Sequence, residues 1–467
     1  MNNNTYEVVI IGGGVCGTAL LYTLSNYTNV KRIALIEKEA DVALVNSFTN
    51  SNSQTLHFGD IETNYTLAKA EKVNAGASLV KNYLLTKDTQ QEIYTKYHKM
   101  VLGVGAEQRE QLKARYQQFK SLFPDLRLLD RAAIAAKEPK VLLDRPKDQE
   151  IMALYTDEGY TVDFNRLAKS FVTNAVTNTV VNSAQNTEKK IDLLFKTKVK
   201  QITKQPQGYQ IKTSDQTIMG KVVIVAAGAH SLLFAKSLGY GLDYALLSVA
   251  GSFYFAPQFL NGKVYTVQQE KLPFAAIHGD PEVHDRAIAR FGPTAKVIPM
   301  LERHHYGSMI EYFQTAGLSL KAILSFAKIL SDPIIFKYIA LNFIYDFPLI
   351  GKRLFIKEVS QIIPSIKLKD LTYAKGYGGV RPQVVNLNTQ ALEMGEAKIT
   401  GDQIIFNITP SPGASTCLQN ALDDTTQLIN FLGSGYQFNR QQFLADLSRN
   451  SGQILTAKTP NSELDAT

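Results

Sequence analysis

Four polar side chains stand beside turns or at the ends of apolar runs, where a cleft could open: His57, His278, Arg381 and Gln383. His278 lies in Phe274-Ala275-Ala276-Ile277-His278-Gly279-Asp280-Pro281, at the end of an apolar strand and the start of a turn. The unperturbed pKa of imidazole is near neutrality, so a histidine there could remove a hydroxyl proton. The competing reading is a structural histidine at a strand end. His57 has a similar claim within the loop Asn52-Ser53-Gln54-Thr55-Leu56-His57. Arg381 follows the glycine cluster Gly376-Tyr377-Gly378-Gly379. Its guanidinium is a planar fork matched to a carboxylate, and Gln383 could orient it. A surface arginine on a strand end is the alternative. His304-His305 reads as a solvated pair. His278 and His284 lack a Cys or acid framework, so no metal is expected.

Such groups need a scaffold, and the N-terminus supplies its clearest spacing. The apolar run Val8–Ile11 leads into Gly12-Gly13-Gly14 and Gly17, followed by an apolar helical pattern through Leu20, Leu21 and Leu24. A second strand pattern, Arg32–Ile36, ends on Glu37. Strand, Gly-x-Gly-x-x-Gly, helix, strand and acid is the order of a dinucleotide site. Gly12 permits the turn, Gly14 lets backbone approach a pyrophosphate, and Gly17 lets helix and strand pack. Val15 and Lys38 flank the motif as expected contacts. Glu37 lies 20 positions after Gly17 and could accept hydrogen bonds from ribose hydroxyls. A ligand-free glycine turn is the bland alternative.

Two distant segments extend this site. Val222–Ala227 is a short apolar run typical of a buried parallel strand, and it ends at Gly228. It predicts a return to the first sheet, with Ala227 and Gly228 close to the cofactor. Ser411-Pro412-Gly413-Ala414-Ser415 precedes a helix and could present backbone N–H groups to a ribityl chain or a flavin ring. The alternative is an ordinary capped helix start. Ser53, Gln54, Thr55 and Val199 complete the expected cofactor contacts. A cofactor clasped from both ends of the chain favours FAD held in place over NAD that comes and goes.

The resulting expectation is an α/β (α+β) fold: a Rossmann-like FAD-binding domain, discontinuous in sequence, with an inserted mixed-sheet and helical substrate domain. The first comprises 1–97, 150–238 and 372–450. The second, facing substrate, comprises 98–149 and 239–371. Residues 451–467 read as a loose polar tail. Strand patterns include His98–Val104, Val249–Phe255, Lys263–Val267 and Phe274–Ile277. Asp163 is a plausible N-cap for a helix over Asp163–Asn178.

With 467 residues, 45% hydrophobic and 20% charged, the chain has an ordinary globular balance. Its net charge of +8 could suit nucleic acid, anionic lipid or an anionic substrate. The basic residues are scattered rather than gathered in a tail, which disfavours nucleic acid. Cys16 and Cys417, the two cysteines, lie in glycine-rich turns and make a poor structural disulfide, so an intracellular protein is expected. No secretory signal is expected. No run of about 18 uncharged apolar residues predicts a membrane span. Leu318–Ile366 interleaves aromatic and apolar residues with Lys321, Lys328, Lys337, Lys352, Arg353 and Lys357. It reads either as core helices of the substrate domain or as a surface that sits on anionic lipid.

Over nearly its whole length the chain resembles the malate:quinone oxidoreductases. The resemblance rests on Val8–Gly17, the 52–57 loop, Gly159-Tyr160-Thr161-Val162-Asp163-Phe164, Pro273–Asp280, Phe291-Gly292-Pro293, Val380-Arg381-Pro382-Gln383 and Ser411–Thr416. The first and last are shared by many flavin oxidases, while the middle segments point to malate. The chain looks like the shorter branch of the family. It reads His-Gly-Asp-Pro at His278, where longer members have a histidine followed by Leu-Asp-Thr. The resemblance implies FAD-dependent oxidation of L-malate to oxaloacetate, with electrons passed to a membrane quinone, feeding the tricarboxylic acid cycle and respiratory chain. It implies a peripheral protein on the cytoplasmic side of the inner membrane. Arg381 would clamp one carboxylate, Arg290 or a lysine the other, and His278 would take the hydroxyl proton. The nearest alternative is a 2-hydroxyglutarate-type or amino acid oxidase or dehydrogenase of the same fold.

Overall fold

The protein is described from a computed structural model over residues 4–183, 189–268, 276–316, 319–347, 350–393, 397–410 and 412–448. The expected tail at 451–467, together with Pro273, Phe274, Ala275 and Ser411, falls outside the described residues.

The apolar runs build an eight-stranded sheet ordered Ala397–Thr400, Ile404–Ile408, Thr217–Val225, Thr5–Ile11, Arg32–Ile36 and Lys190–Leu194, with the hairpin Val199–Gln205/Gly208–Thr213 attached at Thr217–Val225. From Ile404–Ile408 to Lys190–Leu194 the pairing is parallel. Three separate stretches of chain therefore meet in one sheet. Successive strand residues face opposite sides. Val8 and Ile10 pack into a core formed with helices Val15–Tyr27, Leu67–Lys87, Phe164–Ser183 and Cys417–Leu432. Val9 and Ile11 enter a second core on the other face. Val8, Val9 and Ile10 are fully buried, and each such side chain contributes about 1.5–3 kcal/mol relative to exposure. Asp163 caps Phe164–Ser183, its Oδ1 accepting from the N–H groups of Asn165 and Arg166 at 2.9 and 3.1 Å.

A second eight-stranded sheet comprises Tyr94–Val104, Arg127–Leu129, Ile151–Val162, Tyr254–Pro257, Lys263–Thr266, His278–Pro281, Ile288–Gly292 and Thr372–Tyr373. A four-stranded sheet comprises Tyr244–Ala250, Lys296–Val297, Val380–Asn386 and Ala391–Leu392. Two expected boundaries shift as a result. Ile151–Val162 pairs with Tyr94–Val104, and Val380–Asn386 pairs with Tyr244–Ala250. Residues 151–162 and 372–392 thus belong to the second and third sheets, not to the first. Their long-range partners could not be read from local pattern.

A further shift concerns His278. It opens the strand His278–Pro281 instead of ending one, and that strand is held between Lys263–Thr266 and Ile288–Gly292. The basic, apolar helical region is buried in one part and exposed in another. Ile350–Ile362 buries Phe355, Val359 and Ile362 against the second sheet. Leu320–Ser331 and Pro333–Ile344 leave Ile323, Leu324, Ile334 and Phe343 exposed, with Leu320 at 72% and Phe336 at 59%. Among the described residues no helix is long and apolar enough to cross a membrane.

Candidate functional site

A cavity of about 260 Å3 opens at the carboxyl ends of the first sheet's parallel strands. That is where an open α/β sheet binds ligands. At one end is the glycine turn. Gly12 has φ +111°, and a Cβ there would lie 2.4 Å from the carbonyl oxygen of Ala226. A Cβ on Gly17 would lie 2.0 Å from the carbonyl oxygen of Gly12. Gly17 therefore packs helix on strand and does not line the cavity. Gly12, Gly14 and Val15 do line it, and Gly14 is the N-cap of Val15–Tyr27.

Glu37 also lines this end. Its Oε2 accepts from the N–H of Gly13 at 2.7 Å and its Oε1 from Glu39 at 2.9 Å. Burial raises its pKa, partly offset by those two donors. The carboxylate thus braces the glycine turn, while each oxygen retains acceptor capacity for a ribose. Lys38, Val199, Ala227 and Gly228 line the cavity as well. Lys38 is paired with Glu302. Gly228 has φ +58°, a left-handed turn straight after the return strand.

Pro412, Gly413, Ala414 and Ser415 line the cavity too, with Ser53, Thr55, His57 and Arg381. The helix Cys417–Leu432 starts just beyond, so its positive dipole end belongs to this wall. The Ser415 Oγ accepts from the His57 N–H at 2.9 Å, which ties the turn to the histidine loop. Gln54 is turned away. Its side chain is fully buried, donating to the Thr49 carbonyl at 3.0 Å and to Glu282 Oε1 at 2.8 Å. Its place is to fix the loop, with Ser53 and Thr55 facing the cavity.

Arg381 is partly buried, and among the described residues no carboxylate pairs with it. Burial pushes its pKa down, opposed by the nearby Tyr338. Gln383 shares the face of Arg381 two positions along the strand, but it is buried and does not line the cavity. His57 reaches the same space. Its Nδ1 lies 2.6 Å from Glu62 Oε1.

His278 departs from expectation. It is fully buried, does not line the cavity, and stacks on Tyr265 with ring centroids 4.4 Å apart. Its Nδ1 contacts the Ala276 carbonyl at 3.1 Å, and among the described residues Nε2 has no hydrogen-bond partner. Burial pushes its pKa down to about 3, helped by Lys263 and Arg290 against the pull of Asp280. Arg290 is not available to a substrate either. It pairs with Asp280 at 2.9 Å and donates to the Ser53 carbonyl at 3.1 Å, supporting the cofactor loop from behind. Lys263 binds the same carboxylate oxygen at 2.9 Å and Thr55 Oγ1 at 3.2 Å. Sequence reasoning missed Glu62 and Tyr338. Glu62 carried a usable signal, an acid five positions after His57 in the same loop. Among the described residues no group of three or more His, Cys, Asp or Glu could hold a metal.

The glycine cradle, the acid after the second strand and the second turn at a helix start form a donor set that fits FAD, and the fold is one that flavoenzymes use. The L-α-glycerophosphate oxidase of Mycoplasma pneumoniae, solved with FAD bound, matches with a TM-score of 0.63 at 17% identity, over 93% of this chain and 96% of that one. The chain itself belongs to the malate:quinone oxidoreductase family, whose description matches residues 4–430. A malate:quinone oxidoreductase of Helicobacter pylori is 42% identical over 451 residues, 95% of this chain and 98% of that one. A Campylobacter jejuni relative under the same family name is 42% identical over 458 residues, 96% and 100% of the two chains. Human mitochondrial L-2-hydroxyglutarate dehydrogenase is more distant, 24% identical over 432 residues, 89% and 87% of the two chains. The protein is accordingly an FAD-dependent oxidoreductase that oxidises malate and passes the electrons to a quinone.

Proposed function

We propose that L-malate is oxidised to oxaloacetate at the cavity end shared by Arg381, His57 and the 412–415 turn. The single observation that carries this is Arg381, a cavity-lining cation with no acidic partner among the described residues. A desolvated cation without a counter-charge costs several kcal/mol, which an anionic substrate offsets. Arg381 binds one malate carboxylate through its fork of N–H donors. His57 takes the hydroxyl proton on Nε2, the ring nitrogen that Glu62 leaves available. FAD, when bound, supplies the hydride acceptor and the link to quinone. Gly12 and Gly14, with the N-terminus of Val15–Tyr27, hold its pyrophosphate, and Glu37 its ribose. The 412–415 turn and the dipole of Cys417–Leu432 support the flavin end.

In an anaerobic titration L-malate should bleach the flavin spectrum. Arg381→Ala should lower kcat/KM by about 10- to 100-fold, the loss of one or two charged hydrogen bonds. Equal or better reduction by L-2-hydroxyglutarate, or an unchanged Arg381→Ala, would remove malate or Arg381 from this reading.

The exposed apolar face of Leu320–Ser331 and Pro333–Ile344, with exposed Lys321, Lys328 and Lys337, is suited to anionic lipid. Tyr338, on the packed side of the second helix, lies beside Arg381, so this helix runs close to the reactive end of the cavity. We place the protein peripherally on the cytoplasmic side of the inner membrane, where a lipid-soluble quinone is within reach. Cosedimentation with anionic vesicles at low salt, lost in Phe336→Asp, is the expected result. Binding that ignores both lipid charge and this substitution argues against the surface.

A further inference from the structure

We propose that Glu62 is the positioning residue for the base. It fixes the His57 tautomer so that Nε2 faces the cavity, and it stabilises the imidazolium formed when His57 takes the substrate's hydroxyl proton. This rests on His57 being the base.

The geometry is specific. An ionised carboxylate only accepts hydrogen bonds. The 2.6 Å contact therefore requires the proton on Nδ1 and leaves the lone pair on Nε2. The two side chains are 13% and 10% exposed, so the contact is little screened by solvent. The ring is anchored through Nδ1, and the main chain that carries it through the backbone N–H that donates to Ser415 Oγ.

Other charged groups surround Glu62, yet none takes its carboxylate. Lys99 is bonded to Asp60 at 2.7 Å. Arg115 donates to the backbone carbonyls of Glu62 and Tyr65. Lys69 and Tyr265 sense Glu62 only through space. Among the described residues the buried Glu62 Oε2 has no hydrogen-bond partner. Among the described residues His57 is thus the one side chain hydrogen-bonded to this carboxylate. Burial pushes the Glu62 pKa up, but the His57 hydrogen bond and charge, with Lys99, hold it down at about 2. Glu62 stays ionised at neutral pH, so the proton remains on His57. Orienting carboxylates act in this way on other catalytic histidines.

Glu62→Gln tests it, because the size is kept while the amide can present N–H groups to Nδ1. The purified flavoprotein should keep its FAD stoichiometry. Single-turnover flavin reduction by L-malate should slow by about 100-fold or more. The pH–rate profile should change, since the imidazolium has lost its counter-charge. Glu62→Asp should restore part of the rate. In 15N-histidine spectra the Nδ1-protonated signal of His57 should be lost in Glu62→Gln. A wild-type rate and pH profile in Glu62→Gln would overturn the proposal. So would a loss that follows FAD content and is not relieved by Asp, which marks a purely structural role. Unchanged reduction in His57→Asn is a different outcome: it removes the base reading itself.

Discussion

His57 and His278 sit in surroundings of opposite charge. His57 lines the cavity and faces a carboxylate that is held ionised. His278 is sealed in the second sheet beside Lys263 and Arg290, with a backbone carbonyl on Nδ1. A positive neighbourhood keeps an imidazole neutral and weakens it as a base, whereas a carboxylate neighbour supports the imidazolium. Thr55 joins the two regions. Its hydroxyl meets Lys263 at 3.2 Å and Tyr265 at 3.3 Å from behind, while the residue lines the cavity in front. On the proposed reading the first region does the chemistry, and the second is a charged core that holds the loop from behind.

The largest effect expected from this contrast is in His57→Asn. Loss of a general base costs about 100- to 10,000-fold. Stopped-flow reduction by L-malate should slow by that order while FAD remains bound. A rate within a factor of a few of wild type would erase the distinction.

Which histidine acts was only half legible in the sequence. The glycine turn, the return strand (read at 222–227, seen at 217–225), the second turn and the Asp163 cap were readable, because each is local and governed by glycine geometry, apolar periodicity or a capping side chain. His278 looked catalytic because an apolar run and a turn were taken to end at a cleft. The pairing of His278–Pro281 with strands on both sides closes that position off. Arg290 misled for the same reason, since its partner Asp280 lies 10 residues away and meets it only across a strand pair. Sheet partners decide burial, and burial decides whether a charge is free for a ligand. The pairing of Ile151–Val162 with Tyr94–Val104 and of Val380–Asn386 with Tyr244–Ala250 was hidden on the same ground.

Asp280→Asn sharpens the other side of the contrast. Lys263 and Arg290 would lose their shared counter-charge in the interior, which typically costs about 3–5 kcal/mol. Urea or thermal unfolding should show that loss, together with weaker FAD retention as the 52–55 loop loosens. The pH dependence follows from Asp280, whose pKa is held down to about 2 against its burial by Arg290 and Lys263. A depressed carboxyl contributes stability that is full above its ordinary value of 3.8 and is lost as pH falls through about 2. Acid destabilisation of the wild type in that window should therefore flatten in the variant. An Asn variant as stable as wild type, with the same acid limb, would show that the charged core is not what fixes the loop.

The smallest effect belongs to His278→Gln. The ring's stack on Tyr265 would go, and such a contact is worth about 0.5–1.5 kcal/mol beyond area burial. A modest fall in Tm is expected. Flavin reduction should stay well short of the roughly 100-fold loss that marks a missing base. The pH–rate profile should not move, because a histidine with its pKa near 3 carries no proton to lose at neutral pH. The informative comparison is with His57→Asn under identical conditions. If the two variants lose rate equally while both retain FAD, the second sheet supplies chemistry as well as support. If His278→Gln loses stability alone, the positive cluster around it acts only to brace the cofactor loop.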